Sequence, residues 1–266
     1  MLLAIDIGNT QTVIGMFAPD GAGSGPTGEL LHHWRIATSA ERTADDMAVL
    51  LAQLLGLQGF DIEEVISGIA VSSVVPRLRA ALREMTEKWF PVKTVIIEPG
   101  IRTGMPILYD NPREVGADRI ADAVAAYEMF GGPTIVVDFG TATSFEAISA
   151  AGEYLGGALL PGIEISLDAL FGRAAALTRV ELVEPRNVIG KNTIESIQSG
   201  ALYGFAAQVD GLCERFEREL GECTVVATGG LAGLITPVSA CIDHHEPWLT
   251  LYGLRIIFER NLVGAS

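Results

Sequence analysis

Cationic side chains are scarce in this chain: 18 Lys and Arg stand against 33 Asp and Glu, for a formal net charge of −15. A field of that sign opposes a phosphodiester backbone, which excludes nucleic-acid binding as the main activity, although a local basic patch can still hold one phosphate or carboxylate. Cysteine is equally thin. Cys213, Cys223 and Cys241 are odd in number and show no C-x-x-C spacing, so we expect reduced thiols in a cytoplasmic protein rather than a disulfide framework. The four histidines fall in two adjacent pairs, His32/His33 and His244/His245. Neither pair has the i, i+4 spacing that sets two imidazoles on one helical face, which argues against a structural metal. Long hydrophobic runs are missing too, since none approaches the roughly 20 residues that cross a bilayer. The opening Met1-Leu2-Leu3-Ala4-Ile5-Asp6 meets a carboxylate too early for a signal peptide, so the protein is expected to stay where it is made.

What is present suits a packed core: 266 residues, 49% hydrophobic and 19% charged, enough for one large or two small domains. An apolar run at 2–7 ends in Gly8-Asn9-Thr10, and β-rich residues resume at 12–17, the pattern of a hairpin with a tight polar turn. A Gly/Pro/Ser-rich loop at 19–28 leads to a third strand at 29–36. Thr43-Ala44-Asp45-Asp46 reads as a capping box before Met47, Leu50, Leu51, Leu54 and Leu55 at helical spacing. A strand at 65–71, a helix from Pro76 and a strand at 93–98 complete a β-β-β-α-β-α-β order. The second half repeats the opening, with strands at 135–138, 144–149 and 153–160. A long helix at 193–220, a strand at 224–227 and a closing helix at 249–261 follow. Asp6-Ile7-Gly8-Asn9-Thr10 and Asp138-Phe139-Gly140-Thr141-Ala142-Thr143 thus stand at matching places in the two halves, and two similar α/β domains facing each other are the simplest account. We place their boundary at 115/116.

A carboxylate at the end of a buried strand, followed by glycine and small hydroxyl or amide residues, leaves backbone N–H groups open to an anion. One such turn is as readily a hairpin closed by an Asx hydrogen bond. Two at duplicated positions, with Thr228-Gly229-Gly230-Leu231 after a later strand, point to nucleotide binding. The aspartates themselves can approach phosphate only through a cation or a water. Better-known phosphate loops are excluded. Gly190-Lys191 is followed by Asn192 and lacks the upstream glycine of a P-loop. Gly23 to Gly28 matches G-x-G-x-x-G as text, but Pro26 and the strand that follows contradict the strand–turn–helix setting of a dinucleotide site.

Taken in order, residues 6–10, Gly116-Ala117-Asp118-Arg119, residues 138–143, Gly156-Gly157 with Pro161-Gly162, and residues 228–231 resemble the type III pantothenate kinase family, within the wider actin-like ATPase superfamily. The resemblance runs from residue 2 to about residue 260. It implies two facing, duplicated RNase H-like domains with mixed β-sheets, and ATP-dependent phosphorylation of pantothenate, the opening step of coenzyme A synthesis. It further implies that Asp6, Ile7, Gly8, Asn9, Thr10, Gln11, Thr12 and Val13 form the first ATP loop, with Thr141 in the second and Gly229 and Gly230 in a third ATP-binding turn. Asp118 becomes the base that takes the proton of the substrate hydroxyl, although a carboxylate at a helix start can equally serve the helix dipole alone.

Tyr109, Gly116, Ala117, Asp118 and Arg119 become the pantothenate site, where a guanidinium suits the substrate carboxylate. Packing is the plainer role for Tyr109, an ion pair for Arg119, and a helix cap for Thr193. By the resemblance Thr193 reaches the site of a neighbouring subunit, implying a homodimer with a shared active site. Asp138 matches a position that binds a monovalent cation, potassium or ammonium, and magnesium accompanies ATP, held largely by phosphates and waters. Ser144 stands where the family commonly has threonine; the hydroxyl is kept. Two alternatives remain at this stage, a non-catalytic regulator resembling the Bvg accessory factors and another small-molecule kinase of the superfamily. The intact aspartates weigh against the first and the missing cysteine-rich zinc motif against a sugar kinase.

Overall fold

The computed structural model describes residues 1–19, 28–174 and 176–262. Most of the expected loop at 19–28, and with it most of the G-x-G-x-x-G text match, lies outside the described residues. Contacts divide the chain into two units, the first built from Met1–Pro106, Asp110–Met129 and the segment from Leu249 onward, the second from Ile107–Tyr109 and Phe130–Trp248.

In the first unit, β1 (Leu2–Ile7), β2 (Gln11–Phe17) and β3 (Leu30–Ala37) pair antiparallel, and β4 (Gly68–Ser73) and β5 (Lys93–Ile96) extend the sheet in parallel, in the order β3-β2-β1-β4-β5. Strand alternation assigns the two faces. Leu3, Ile5 and Ile7 of β1 and Ile69 and Val71 of β4 point into a core with Met47, Leu51 and Leu55 of α1 (Ala44–Gly56) and Leu78, Leu82 and Met85 of α3 (Pro76–Trp89). The capping box forms as expected: the Thr43 side chain accepts from Asp46 N, and the Asp46 carboxylate accepts from Thr43 N at 3.0 Å. The strand expected from Val65 instead starts at Gly68, because 62–66 close a helical turn with Val65 N donating to Asp61 O and Ile66 N to Ile62 O; its helical part is α2 (Ile62–Val65). Val65 and Ile66 look like strand residues locally but serve as apolar residues of a turn.

The opposite face of this sheet carries Ala4 and Asp6 and is met by α8 (Leu249–Leu262). A Cβ at Gly68 would sit 2.2 Å from the Phe258 ring, and one at Gly253 would sit 1.9 Å from the carbonyl oxygen of Ala121 in α4 (Ala117–Phe130). Two glycines thus admit α8 between the sheet and α4. The division expected at 115/116 differs from this arrangement, which groups most of α4 and all of α8 with the first sheet.

The second unit repeats the topology. Strands β6 (Thr134–Phe139), β7 (Ala142–Ile148) and β8 (Tyr154–Pro161) are antiparallel, β9 (Thr224–Thr228) and the short β10 (His244–His245) add in parallel, and the order is β10-β9-β6-β7-β8. Each strand has its counterpart in the first sheet, so the duplicated mixed-sheet architecture read from the sequence is the one found. The long helix falls at Thr193–Leu220 as expected and packs Leu202, Phe205 and Val209 on Ile135, Val137 and Phe145. Local periodicity did not mark the helices Ile163–Arg173 and Ala232–Ile235; we number the helices Ile163–Arg173, Thr193–Leu220 and Ala232–Ile235 α5, α6 and α7. All three cysteines are free, no three metal-ligating side chains cluster among the described residues, and none of the described helices is long and apolar enough to cross a membrane.

Candidate functional site

Asp6 is the penultimate residue of β1, opposite Val13 on β2 and Ser72 on β4. The turn beyond it closes with Gly8 N donating to Gln11 O at 3.0 Å, and a Cβ on Gly8 would lie 3.0 Å from the same oxygen. Asn9, Thr10 and Gln11 are exposed at its tip. Other members of the expected loop face elsewhere. The Ile7 side chain belongs to the core, Val13 is half-buried, and the buried Thr12 hydroxyl lies 2.8 Å from that of Thr38. These residues shape the turn, and its tip is what remains open to solvent.

Asp118 sits in the first turn of α4, where its Oδ1 accepts from Arg119 N at 2.8 Å. A Cβ on Gly116 would fall 2.4 Å from that oxygen, so glycine leaves the carboxylate its place. Burial raises the Asp118 carboxyl above the ordinary range, while the Arg119 backbone N–H and its guanidinium charge pull it back. Burial and then the negative charge of Asp118 push Asp6 up to about 7, opposed by a hydrogen bond from Ser72. The first unit therefore brings Asp6 and Asp118 within electrostatic reach of each other, two carboxyl groups with raised affinity for a proton. A carboxylate raised by burial holds a proton more readily than a free one, which is what a general base requires.

In the second unit Asp138 occupies the place on β6 that Asp6 holds on β1, opposite Ser144 and Thr228. Two glycines crowd its carboxylate and form a cradle there. Gly229, at φ +92°, would place a Cβ 2.3 Å from Asp138 Oδ1, and Gly140 would place one 3.3 Å from Oδ2. Only glycine meets both the backbone angle and the clearance at 229. Thr141 and Gly230 are exposed beside this turn system. Gly162, just before α5, approaches so closely that a Cβ would lie 2.4 Å from Thr141 O. Tyr109 also belongs to this unit and stands edge-on to Tyr154 at 6.4 Å, with Gly156 leaving room for its ring. Thr193 opens α6, and Asn192 is the residue that caps it, accepting from Glu195 N at 2.9 Å.

Ser72 is the one buried polar partner of Asp6 that the sequence reading passed over; its only local signal is a hydroxyl pair, Ser72-Ser73, ending an otherwise apolar strand.

The two duplicated mixed sheets form a fold shared with solved structures. A putative 2-dehydro-3-deoxygalactonokinase from Sinorhizobium meliloti has the same fold (TM-score 0.58, 12% identity, 100% of this chain and 97% of that one). So does a conserved putative Baf family transcriptional activator from Campylobacter jejuni (TM-score 0.59, 18% identity, 98% and 99%). Sequence comparison is more specific: the model of the type III pantothenate kinase family matches residues 2–215. A type III pantothenate kinase of Streptomyces griseus is 54% identical over the whole of both chains, and one of Moorella thermoacetica is 55% identical over 98% of this chain and all of its own. The chain belongs to the type III pantothenate kinase family, a family of phosphotransferases.

Proposed function

We propose that this protein transfers the γ-phosphoryl group of ATP to the primary hydroxyl of pantothenate, giving ADP and 4′-phosphopantothenate, the first step of coenzyme A biosynthesis. The observation that carries the reading is the raised Asp118 carboxyl at the start of α4, held by its own turn and backed by Asp6 at the end of β1. In this reading Asp118 takes the hydroxyl proton as the oxygen attacks phosphorus, the P–O bond to ADP breaks, and the proton leaves with Asp118. Phosphoryl transfer depends mainly on positioning and charge neutralisation, and a base of this kind contributes about 10²–10⁴-fold. Arg119 and Tyr109 are assigned to the pantothenate carboxylate and chain. The tip 8–11, Thr141 and the Gly229-Gly230 turn are assigned to the nucleotide. Magnesium enters with ATP, on phosphate oxygens and waters.

A monovalent cation, potassium or ammonium, is assigned to Asp138. The Gly140 position supports the assignment: a Cβ there would meet both Asp138 Oδ2, at 3.3 Å, and the Ala142 carbonyl oxygen, at 3.7 Å, and oxygens are the hard ligands such ions take. The charge of the ion would offset repulsion between Asp138 and the phosphates. A homodimer is supported by exposed apolar side chains close to Thr193 in the chain, Val188, Ile189 and Ile194, which gain by leaving water. Free thiols and a need for ATP fit a cytoplasmic enzyme.

The deciding experiment follows ADP release from MgATP in potassium buffer with and without pantothenate, for the parent protein and for Asp118→Asn. Pantothenate-dependent release that falls at least about 100-fold in the variant, with MgATP binding kept, supports both reaction and base. Equal turnover in the variant removes Asp118 from the mechanism. Measurable ATP binding without any pantothenate-dependent release by the parent protein contradicts the kinase reading and favours a regulator or another acceptor.

A further inference from the structure

Asp6 does not stand alone at the end of β1. Directly across the parallel β1–β4 pairing is Ser72, fully buried, whose Oγ donates a short hydrogen bond to Asp6 Oδ1. Both backbones are locked in the ladder, and Ser72 shares its strand with Ile69 and Val71, which anchor β4 in the core on the other face. The position of the hydroxyl is therefore set by the sheet and not by the loop that follows Asp6. A carboxylate has one soft torsion that decides where its second oxygen points; a fixed donor on one oxygen settles it. The same bond favours the ionised carboxylate against burial and against the charge of Asp118.

We propose that Ser72 is a positioning residue for nucleotide binding, its hydroxyl clamping Oδ1 of Asp6 so that Oδ2 is presented, through a cation or a water, to the incoming MgATP. The inference rests on the kinase reading only for the identity of the nucleotide and acts wholly through Asp6. Where the ordering of Asp6 is worth as much as one hydrogen bond to a charged group, its loss weakens binding by about tenfold. Ser72→Ala is therefore expected to weaken MgATP binding by about that factor and to raise KM for ATP while leaving KM for pantothenate within about twofold. Ser72→Thr, which keeps the donor, is expected to recover most of the loss. If alanine prevents folding, as judged by circular dichroism, Ser72→Cys takes its place, with a weaker donor and a smaller loss.

The decisive arm is a double-mutant cycle with Asp6→Ala, read as the MgATP dissociation constant by calorimetry. Once position 6 has no acceptor, Ser72→Ala should add less than about threefold, because partners in one hydrogen bond are not additive. Wild-type affinity in a folded Ser72→Ala protein, or a full tenfold loss that persists in the Asp6→Ala background, overturns the proposal. Calorimetry needs no acceptor, so an absence of pantothenate turnover in the parent protein would count against the function and leave this test standing.

Discussion

Neutralising Asp6 should make the ligand-free protein more stable, and more so at higher pH. An unfolded aspartate ionises near 3.8, whereas the native group does so at about 7. Between those values the native state holds a proton that the unfolded chain has lost, so native stability falls as pH rises through the window and levels off above 7. Each unit is about 1.4 kcal/mol, so the part of the window above pH 5 is roughly 2–3 kcal/mol, and partial solvent access at the strand end brings our expectation to about 2 kcal/mol. Asp6→Asn removes the titration but keeps a carbonyl oxygen for Ser72. Its advantage over the parent should therefore be about 2 kcal/mol larger at pH 8 than at pH 5. Guanidinium unfolding followed by tryptophan fluorescence measures this, since Trp34 and Trp89 both report on the first unit. An advantage that is flat between the two pH values, or that shrinks at pH 8, refutes the assignment of a buried, charge-opposed carboxylate at this position.

Other expectations test the second unit. Gly229→Ala combines φ +92° with a Cβ 2.3 Å from Asp138 Oδ1; it should cost about 1–3 kcal/mol in chemical denaturation and abolish any stimulation by potassium, and a neutral effect on both would contradict the cradle. Activity in a sodium-only buffer should be a small fraction of that in potassium or ammonium, and Asp138→Asn should erase the difference; full activity in sodium would remove the cation from the assignment. Ile189 is 74% exposed, so Ile189→Glu should leave the fold intact while moving the mass seen by light scattering from dimer to monomer and lowering activity, whereas an unchanged dimer would place the interface elsewhere.

The sequence alone carried the parts of this protein that depend on neighbours within a few residues. The capping box at Thr43, the proline-led helix at Pro76, the helix from Thr193 to Leu220 and the paired Asp-x-Gly turns are each written in a local pattern, because caps, periodicities of two or 3.6 and turn glycines act over a turn or less. The matching turns in the two halves also disclosed the duplication, and the motif order disclosed the family.

What the tertiary structure alone decided is which faces meet. Nothing within reach of residues 117–129 or 249–262 announces that these helices pack together and with the first sheet; Gly253 and Gly68 permit it by omitting a side chain, and that omission is visible only once Ala121 and Phe258 are in place. The same holds at the site. Ser72, Asp6 and Asp118 lie far apart along the chain, and each has an ordinary local role as strand residue, turn residue or helix opener. Their hydrogen bond and their shared electrostatics arise because a parallel strand pairing and a packed helix place them at one sheet end, and the free energy of burying charge there depends on distance in space rather than in sequence.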